Sequence, residues 1–343
     1  ANLFMQTANK LWLPNANLRG IRLMSTNLRN AIFIKADLRG ASLNDADLRD
    51  ASFWDADLRG AYLRNAKLSG VRLNSANMRG ANLEGAKLES EEKSERELDE
   101  EYEDFASMFE PDDVPDDYEP ETLRHAADLT GTDLRNADLS EARLSDVIGL
   151  RSDSLAGANL SNAKLPGDIA KFESLDYVAE ISKSARGTFL ALIGACFYCW
   201  LTVATTKAEA LLTEGAATKL PILNTDVPTA AFYVVAPIVL LGIYIYLHMY
   251  LLRLWQTLGT LPARFPDGRW LDEKAYPWLL TSLVRLYVPL LMQKRPPLWW
   301  LQVGISIFAA WILVPLTILG ILSGYLMSGN IVGTLVIAIS LLG

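Results

Sequence analysis

Residues 36–60 read ADLRG-ASLND-ADLRD-ASFWD-ADLRG, five blocks in which the first residue is Ala and the third is Leu or Phe. The period runs from Leu3 to Leu88, where all 18 third positions are apolar and 13 first positions are Ala. In an α-helix a five-residue step rotates by about 140°, which would scatter these side chains around the helix. In extended backbone, residues two apart point to the same side. Each block therefore places one small and one large residue inside a narrow tube and leaves three for a corner.

A second array of the same pattern occupies residues 125–166, with the first array at 1–88. The step from Leu144 to Leu150 is six residues, which predicts one bulged residue, and Pro166-Gly167 ends the array. We expect the two arrays to stack on each other. The third positions of the second array are Leu129, Leu134, Leu139, Leu144, Leu150, Leu155, Leu160 and Leu165.

The pattern resembles the pentapeptide-repeat family, whose motif is A-(D/N)-L-x-x, and its clearest copies begin at Ala36, Ala46 and Ala56. The resemblance covers roughly residues 1–88 and 127–165. It implies a right-handed quadrilateral β-helix, a solenoid with four repeats in each coil. The predicted fold class is this β-helix followed by an α-helical transmembrane domain.

Four repeats per coil would bring residues 20 apart onto one face, and the sequence has a 20-residue period there. Arginines recur at Arg19, Arg39, Arg59 and Arg79. They stand beside an Asn/Asp series at positions 17, 37, 57 and 77, with rungs about 4.8 Å apart. Arg29 and Arg49 fall on the opposite face. Two interpretations stay open: a solvated, mutually neutralised ladder that protects the coils, or a docking strip for an acidic partner.

An apolar group stands on another face, where Trp12, Ile32, Ile34 and Trp54 lie next to the inward positions and so point outward. Exposed apolar clusters often mark contacts. We expect this group to be the main protein-contact patch; the alternative is that the acidic insert or a neighbouring chain covers it.

The insert at residues 89–124 separates the two arrays and is strongly acidic. Residues 89–121 carry 17 Asp/Glu and 2 Lys/Arg, so the rest of the chain, whose total is −8, carries +7. Such a composition buries too little apolar area to fold alone. The insert is predicted to be disordered or partly helical, either as a solvated loop or as a bait for a basic partner or for the chain's own cytoplasmic loop.

The C-terminal half, residues 187–343, is predicted to be a membrane domain after a connecting helix at 167–186. Spans of about 20 apolar residues cross the hydrocarbon core at 1.5 Å per residue. We expect four spans, at 187–206, 229–252, 298–322 and 331–343, the last one truncated. The loop near 275–292 is predicted to form a helix lying in the membrane interface, with tryptophans as anchors.

Orientation follows the distribution of Lys and Arg. The loop 253–297 carries seven Lys/Arg residues, whereas the loop 207–228 carries only two. The prediction is therefore a multi-pass protein of the bacterial inner membrane with the repeat domain cytoplasmic. The run YLHMYL at 246–251, followed by FPDG at 265–268, resembles the tail of bacterial pentapeptide-repeat membrane proteins, from which no activity carries over.

Candidate chemistry is sparse, and the sequence predicts no catalytic, cofactor-binding or metal site. Cys196 and Cys199 form a CxxC without a second Cys/His pair, and structural zinc takes about four ligands. The chain has 2 histidines, of which His248 lies inside a predicted span. An ionisable residue in a span is a functional candidate, although a structural role is the simpler interpretation here.

Three functions are compatible with this organisation. The first is a non-enzymatic membrane-anchored scaffold that presents the β-helix to a protein partner, with a homo-oligomer as one form of that partner. The second is a pore-forming or membrane-perturbing effector that uses the β-helix as sensor or assembly platform. The third, a nucleic-acid mimic that binds a topoisomerase as the family resemblance implies, fits poorly with arginine-rich faces and a membrane tether. Direct nucleic-acid binding is not expected.

Overall fold

The computed structural model describes residues 5–7, 10–91, 126–172, 174–207, 217–221, 225–275, 279–293 and 297–326. The chain divides into two compact units. The solenoid unit comprises Ala1–Glu173, Gly259–Glu273 and Val288–Gln293, and the helical unit comprises Ser174–Leu258, Lys274–Tyr287 and Lys294–Gly343. Most of the predicted acidic insert and the predicted span 331–343 lie outside the described residues.

The solenoid unit is built from coils of 20 residues with four sides. Each side contributes one bridging residue, which pairs in parallel with the residue 20 positions further along the chain, and the four ladders begin with the pairs Trp12 and Ile32, Asn17 and Asp37, Arg22 and Ser42, and Asn27 and Asp47. The coils are joined by backbone hydrogen bonds. The Leu38 N–H donates to the Asp57 carbonyl (2.8 Å), and the Asp57 N–H donates to the Ala36 carbonyl (2.9 Å).

The interior of the tube is formed by the first and third positions of each block, as the five-residue period predicts. From Ala31 to Leu88 every one of these residues is exposed by 1% or less. The rings of Phe33 and Phe53 stack with centroids 5.0 Å apart. Since complete burial of a Leu or Phe side chain contributes about 1.5–3 kcal/mol, this column is the main source of stability in the unit.

The corners depend on the fifth position of each block, where the chain turns in the left-handed region. From Asn15 to Gly85 these residues have φ between +54° and +70°. Glycine adopts this conformation without cost, and Asn and Asp tolerate it better than other residues do. This explains why the fifth position is mostly Gly, Asn or Asp, with Ser25, Lys35 and Ser75 as exceptions.

The second array stacks directly on the first across the insert. Arg72 bridges to Asp128 and Lys87 to Arg143, an offset of 56 residues in place of 20. In the next coil Arg143 bridges to Lys164, an offset of 21. Asp128 still bridges to Ile148 at an offset of 20, so the extra residue lies after Ile148, in the stretch that contains a short 3₁₀ helix, Ser152–Leu155. The six-residue step predicted one extra residue but placed it earlier, between Leu144 and Leu150.

The N-terminal end differs from the predicted pattern. The chain forms an antiparallel hairpin, β1 (Met5–Thr7) with β2 (Lys10–Trp12), where the period predicted a coil with Ala8 pointing inward. The motif is weak here, because Gln6 stands where most blocks have Ala, and nothing in this stretch forces a coil. The other predicted inward residue of this stretch, Leu3, lies outside the described residues.

The C-terminal end of the solenoid is completed by a segment from far along the chain, Gly259–Glu273, here called the return segment. Asn159 bridges in parallel to Arg264, as if the segment were part of another coil. The Leu160 N–H donates to the Arg264 carbonyl (2.9 Å), and the Asn162 N–H donates to the Pro266 carbonyl (2.9 Å). The segment therefore pairs with backbone groups that would otherwise form an open edge.

The return segment is held by its own turn and by buried aromatic rings. Gly268 has φ +78°, and the Phe265 N–H donates to the Arg269 carbonyl. The Arg264 side chain donates to the Gly268 carbonyl (2.9 Å) and lies over the Trp270 ring, 5.1 Å from its centroid. Phe265 is fully buried.

The helical unit contains long apolar helices. Helix α1 is Ser174–Thr205, and α2 is Thr229–Leu258. A short hairpin, β3 (Ala217–Lys219) with β4 (Asp226–Pro228), lies between them in the chain. From Leu271 onward the chain forms α3 (Leu271–Lys274), a 3₁₀ helix (Thr281–Leu286), α4 (Pro289–Gln293), α5 (Trp299–Ile307), a π-helical turn (Phe308–Ile312) and α6 (Leu313–Leu326). Of these, α4 and most of α3 belong to the solenoid unit.

One core joins α1, α2 and α6. It includes Leu192, Leu240, Val314 and Ile318, all buried. The rings of Tyr233 and Tyr325 stack with centroids 5.3 Å apart. Three continuous helical stretches, Ser174–Thr205, Thr229–Leu258 and Trp299–Leu326, are long and apolar enough to cross a membrane.

Two predicted boundaries differ from the structure. Helix α1 has no break at residue 187, so the connecting helix and first span form one helix that begins at Ser174 after turns at 167–171. The predicted interfacial helix at 275–292 is not continuous either, because Pro289 begins α4 and the residue before a proline is disfavoured in a helix. Leu280 and Leu283 are buried in the core of the helical unit and do not form an exposed interfacial face.

Candidate interaction surfaces

The structure brings the four predicted apolar residues together on one side of the first described coils. Trp12 bridges to Ile32, and the Lys35 N–H donates to the Trp54 carbonyl, which places Ile34 and Trp54 on neighbouring rungs. Trp12 and Trp54 are each 50% exposed, and the two isoleucines are half-buried. We call Trp12, Ile32, Ile34 and Trp54 the apolar patch. Because the patch stands on a hydrogen-bonded coil, its side chains are presented by a rigid backbone.

The predicted arginine series lies on the next side of the coil and is largely paired with aspartates. Arg39 Nη2 lies 2.5 Å from Asp37 Oδ2, and Arg39 Nε lies 3.6 Å from Asp57 Oδ2 on the next rung. Arg59 Nη2 lies 2.6 Å from Asp57 Oδ2. Arg79 reaches Asp133 at 3.9 Å. These contacts favour the interpretation of a neutralised ladder.

The series has a fifth rung that the sequence period did not reveal. The Gly80 N–H donates to the Arg135 carbonyl, so Arg135 stacks below Arg79, and its Nη2 lies 2.5 Å from Asp133 Oδ2. The 36 extra residues between the arrays break the 20-residue spacing. If these 36 residues are added to the 20-residue period, the position that follows Arg79 in the series is Arg135.

These ion pairs lower the pKa of the aspartates. Hydrogen bonds from the Arg39 guanidinium lower the pKa of Asp37 to about 2. Arg59 lowers the pKa of Asp57, and Arg135 lowers that of Asp133, by the same side-chain hydrogen bonding. A carboxylate whose pKa is lower in the folded state stabilises the fold above its unfolded pKa, and this contribution is lost as the pH falls through the folded pKa.

We therefore expect the solenoid to lose thermal stability as the pH falls from about 5 towards 2, since the unfolded pKa of Asp is about 3.9. A triple variant, Asp37→Asn, Asp57→Asn and Asp133→Asn, should have a lower Tm at neutral pH and a smaller further loss in acid. The Tm can be measured on the full chain from the infrared band of β structure, which separates the solenoid from the helices. If the Tm of the unmodified protein and that of the triple variant fall with pH in parallel, the arginine–aspartate pairs do not contribute to the stability of the solenoid.

The opposite side of the solenoid carries the beginning of the acidic insert. Glu89 Oε1 lies 3.0 Å from Arg143 Nη1, and Glu91 Oε2 lies 3.8 Å from Arg49 Nη1. Arg49 lies two coils before Glu89 on this side of the solenoid, and Arg143 lies on the coil that follows Glu89. The first acidic residues of the insert therefore bind arginines of this face on different coils. Arg29 and Arg49 both bind Asp47 here.

The helical unit contains His248 and the Cys196–Cys199 pair, which the sequence offered as candidate chemical groups. The His248 Nδ1 donates to the Tyr244 carbonyl (2.9 Å), while its Nε2 is buried without a hydrogen-bond partner in the described part of the chain. Cys196 and Cys199 are buried and unpaired with each other. Within the described ranges no group of three or more His, Cys, Asp or Glu side chains is placed to hold a metal ion.

The family model described as Pentapeptide repeats matches the chain in 8 copies, over residues 16–55, 56–90 and 125–148. The matched residues lie in the coils of the solenoid unit, and pentapeptide repeats imply a right-handed β-helix. A search of curated proteins found no match.

Solved structures similar to the chain are also pentapeptide-repeat proteins. Rfr23 from the cyanobacterium Cyanothece 51142 is 22% identical, with a TM-score of 0.26, over 46% of this chain and 85% of its own. A pentapeptide repeat protein from the Arabidopsis thaliana thylakoid lumen is 25% identical, with a TM-score of 0.18, over 40% of this chain and 71% of its own. HetL from the cyanobacterium Nostoc sp. strain PCC 7120 is 24% identical, with a TM-score of 0.14, over 46% of this chain and 82% of its own.

Proposed function

We propose that this protein is a non-enzymatic scaffold, anchored in the bacterial inner membrane, whose cytoplasmic β-helix binds a protein partner through the apolar patch. The exposure of two tryptophans beside two isoleucines on a rigid coil is the observation that carries the proposal. Tryptophan is enriched among residues that dominate binding energy, and each such anchor contributes about 2 kcal/mol or more.

The membrane anchor is supported by the three apolar helices. The charges on α1 and α2 keep the predicted asymmetry, with Lys183 and Arg186 in the first half of α1, just before its apolar stretch, and Arg253 near the end of α2. By the positive-inside rule these ends face the cytoplasm, together with the repeat domain. The alternative function, a pore-forming effector, stays a prediction, because no described feature of the three helices favours it over an anchoring role.

The test introduces two charges into the apolar patch with the double variant Ile34→Asp and Trp54→Asp. It should weaken capture of the partner from membranes by at least about tenfold, because two apolar anchors become charged and must be desolvated on binding. The measurement is quantitative mass spectrometry of proteins cross-linked to the full chain, with a differently tagged second copy present so that self-association is recorded as well.

The matched control is Met24→Asp and Tyr62→Asp, since these residues are 54% and 50% exposed on a different side of the coil. A protein that binds the apolar patch should no longer be captured by the Ile34→Asp and Trp54→Asp variant but should still be captured by the control variant. If no captured protein distinguishes the two variants, the patch is not the binding surface and the proposal fails.

A further inference from the structure

A column of cations lies on the side of the solenoid opposite the arginine ladder. Lys67 bridges to Lys87, Lys87 to Arg143, and Arg143 to Lys164, so four positive residues follow one another on consecutive coils. Neighbouring rungs of a β-ladder are about 4.8 Å apart. We call Lys67, Lys87, Arg143 and Lys164 the cation column.

The cation column is not neutralised in the way that the arginine ladder is. Arg143 is paired with Glu89, but Lys67, Lys87 and Lys164 have no ion pair within 4.0 Å among the residues that the structure describes. Further carboxylates on this face are engaged elsewhere. Asp47, which bridges to Lys67, is paired with Arg29 and Arg49, and Asp146 accepts hydrogen bonds from Ser90. Lys67 and Lys164 are exposed, and Lys87 is half-buried.

Stacked like charges weaken a β-ladder, because cations on directly opposite residues repel each other. On the arginine ladder the same stacking is offset by aspartates of the same face, as with Arg39 and Asp37. On the cation column no such aspartates alternate with the lysines. An anionic ligand that lies along the column would remove this repulsion at several rungs at once, which favours an extended polyanion over a single small anion.

The chain itself shows which kind of polyanion fits this face. Glu89 binds Arg143 of the column, and Glu91 reaches Arg49 on the same side of the solenoid. Glutamate carboxylates of a polypeptide therefore reach the cations of this side of the solenoid, on different coils.

We propose that the cation column is a docking surface for an acidic segment of a partner polypeptide, which lies along the solenoid axis. This inference rests on the proposed scaffold function and adds to it a second surface with a defined partner chemistry. It also reassigns the acidic-partner strip that the sequence placed on Arg19, Arg39, Arg59 and Arg79, because most of those arginines are already paired with aspartates.

The test uses a fluorescein-labelled octaglutamate peptide and the full chain in nanodiscs of zwitterionic lipid, at low salt, where screening is weak. Fluorescence anisotropy gives the Kd. The triple variant Lys67→Gln, Lys87→Gln and Lys164→Gln should weaken binding about tenfold, since three ion pairs of modest strength with the peptide are removed.

The matched control, Arg22→Gln, Lys35→Gln and Lys171→Gln, removes three exposed charges elsewhere on the solenoid unit and should change the Kd less than about twofold. Absence of binding to the unmodified chain, or equal weakening in both triple variants, would overturn the inference. Tighter binding of a duplex oligonucleotide of equal charge would also overturn it, in favour of nucleic acid. If octaglutamate binding fails while capture through the apolar patch persists, the scaffold proposal stands and only the cation column is refuted.

Discussion

Phe53→Ala is expected to lower the local free energy of unfolding of its coil by about 3–5 kcal/mol. Phe53 is completely buried, and its ring stacks on Phe33 of the neighbouring coil, 5.0 Å away. Removal of the ring leaves a cavity in a tube whose walls are held by backbone hydrogen bonds and cannot collapse. Hydrogen exchange of the amides between residues 31 and 60, in the full chain, measures the loss.

The adjacent residue supplies the control, because Trp54 is larger than Phe53 yet points outward and is half-exposed. Trp54→Ala should cost less than about 1 kcal/mol. A larger loss at Trp54 than at Phe53 would mean that the inward and outward positions of the block are exchanged. The five-residue architecture would then be wrong for this coil.

Phe265→Ala is expected to open the C-terminal end of the solenoid. Phe265 is fully buried and meets Phe172 edge to face, with centroids 5.1 Å apart. Its loss should cost about 3–5 kcal/mol locally. It should also loosen the hydrogen bonds that the return segment makes to the last coil, such as the one from the Leu160 N–H to the Arg264 carbonyl.

The expected readout is a rise of at least about a hundredfold in amide exchange between residues 157 and 164, which corresponds to roughly 3 kcal/mol of local stability. Exchange between residues 36 and 60 should stay unchanged, since in a solenoid each coil contacts only its neighbours. The conservative variant Phe265→Leu should cost less than about 1.5 kcal/mol. If exchange rises equally at both ends of the solenoid, or at neither, the return segment does not cap the last coil.

The return segment gives this solenoid an unusual dependence on the rest of the chain. Gly259–Glu273 lies after α2, so the last coil is completed only when residues about 100 positions further along have returned to it. One local signal was available, because Pro266-Asp267-Gly268 is a turn sequence with a glycine suited to positive φ. That turn sequence does not predict which coil the return segment pairs with.

The charged surfaces were also predicted only in part from the sequence. The 20-residue period predicted that Arg39 and Asp37 would be neighbours, and they are paired. It did not predict the cation column, because Lys87 and Arg143 come together only when the coils stack across the insert. It did not predict Arg135 below Arg79 for the same reason.

The sequence by itself determined the narrow tube and the residues that fill it, because these follow from a five-residue period, and it determined the apolar helices, because these follow from long stretches of apolar residues. The four sides of the tube were implied by the family resemblance and agree with the 20-residue period of the arginines. Only the tertiary structure decided that Gly259–Glu273 completes the last coil, that α1 runs without a break, and that the lysines form an unpaired column. The physical reason is that stacking and capping are made by backbone hydrogen bonds between distant residues. Nearly every residue carries the N–H and C=O groups that form such bonds, so the side-chain sequence does not indicate which residues will pair.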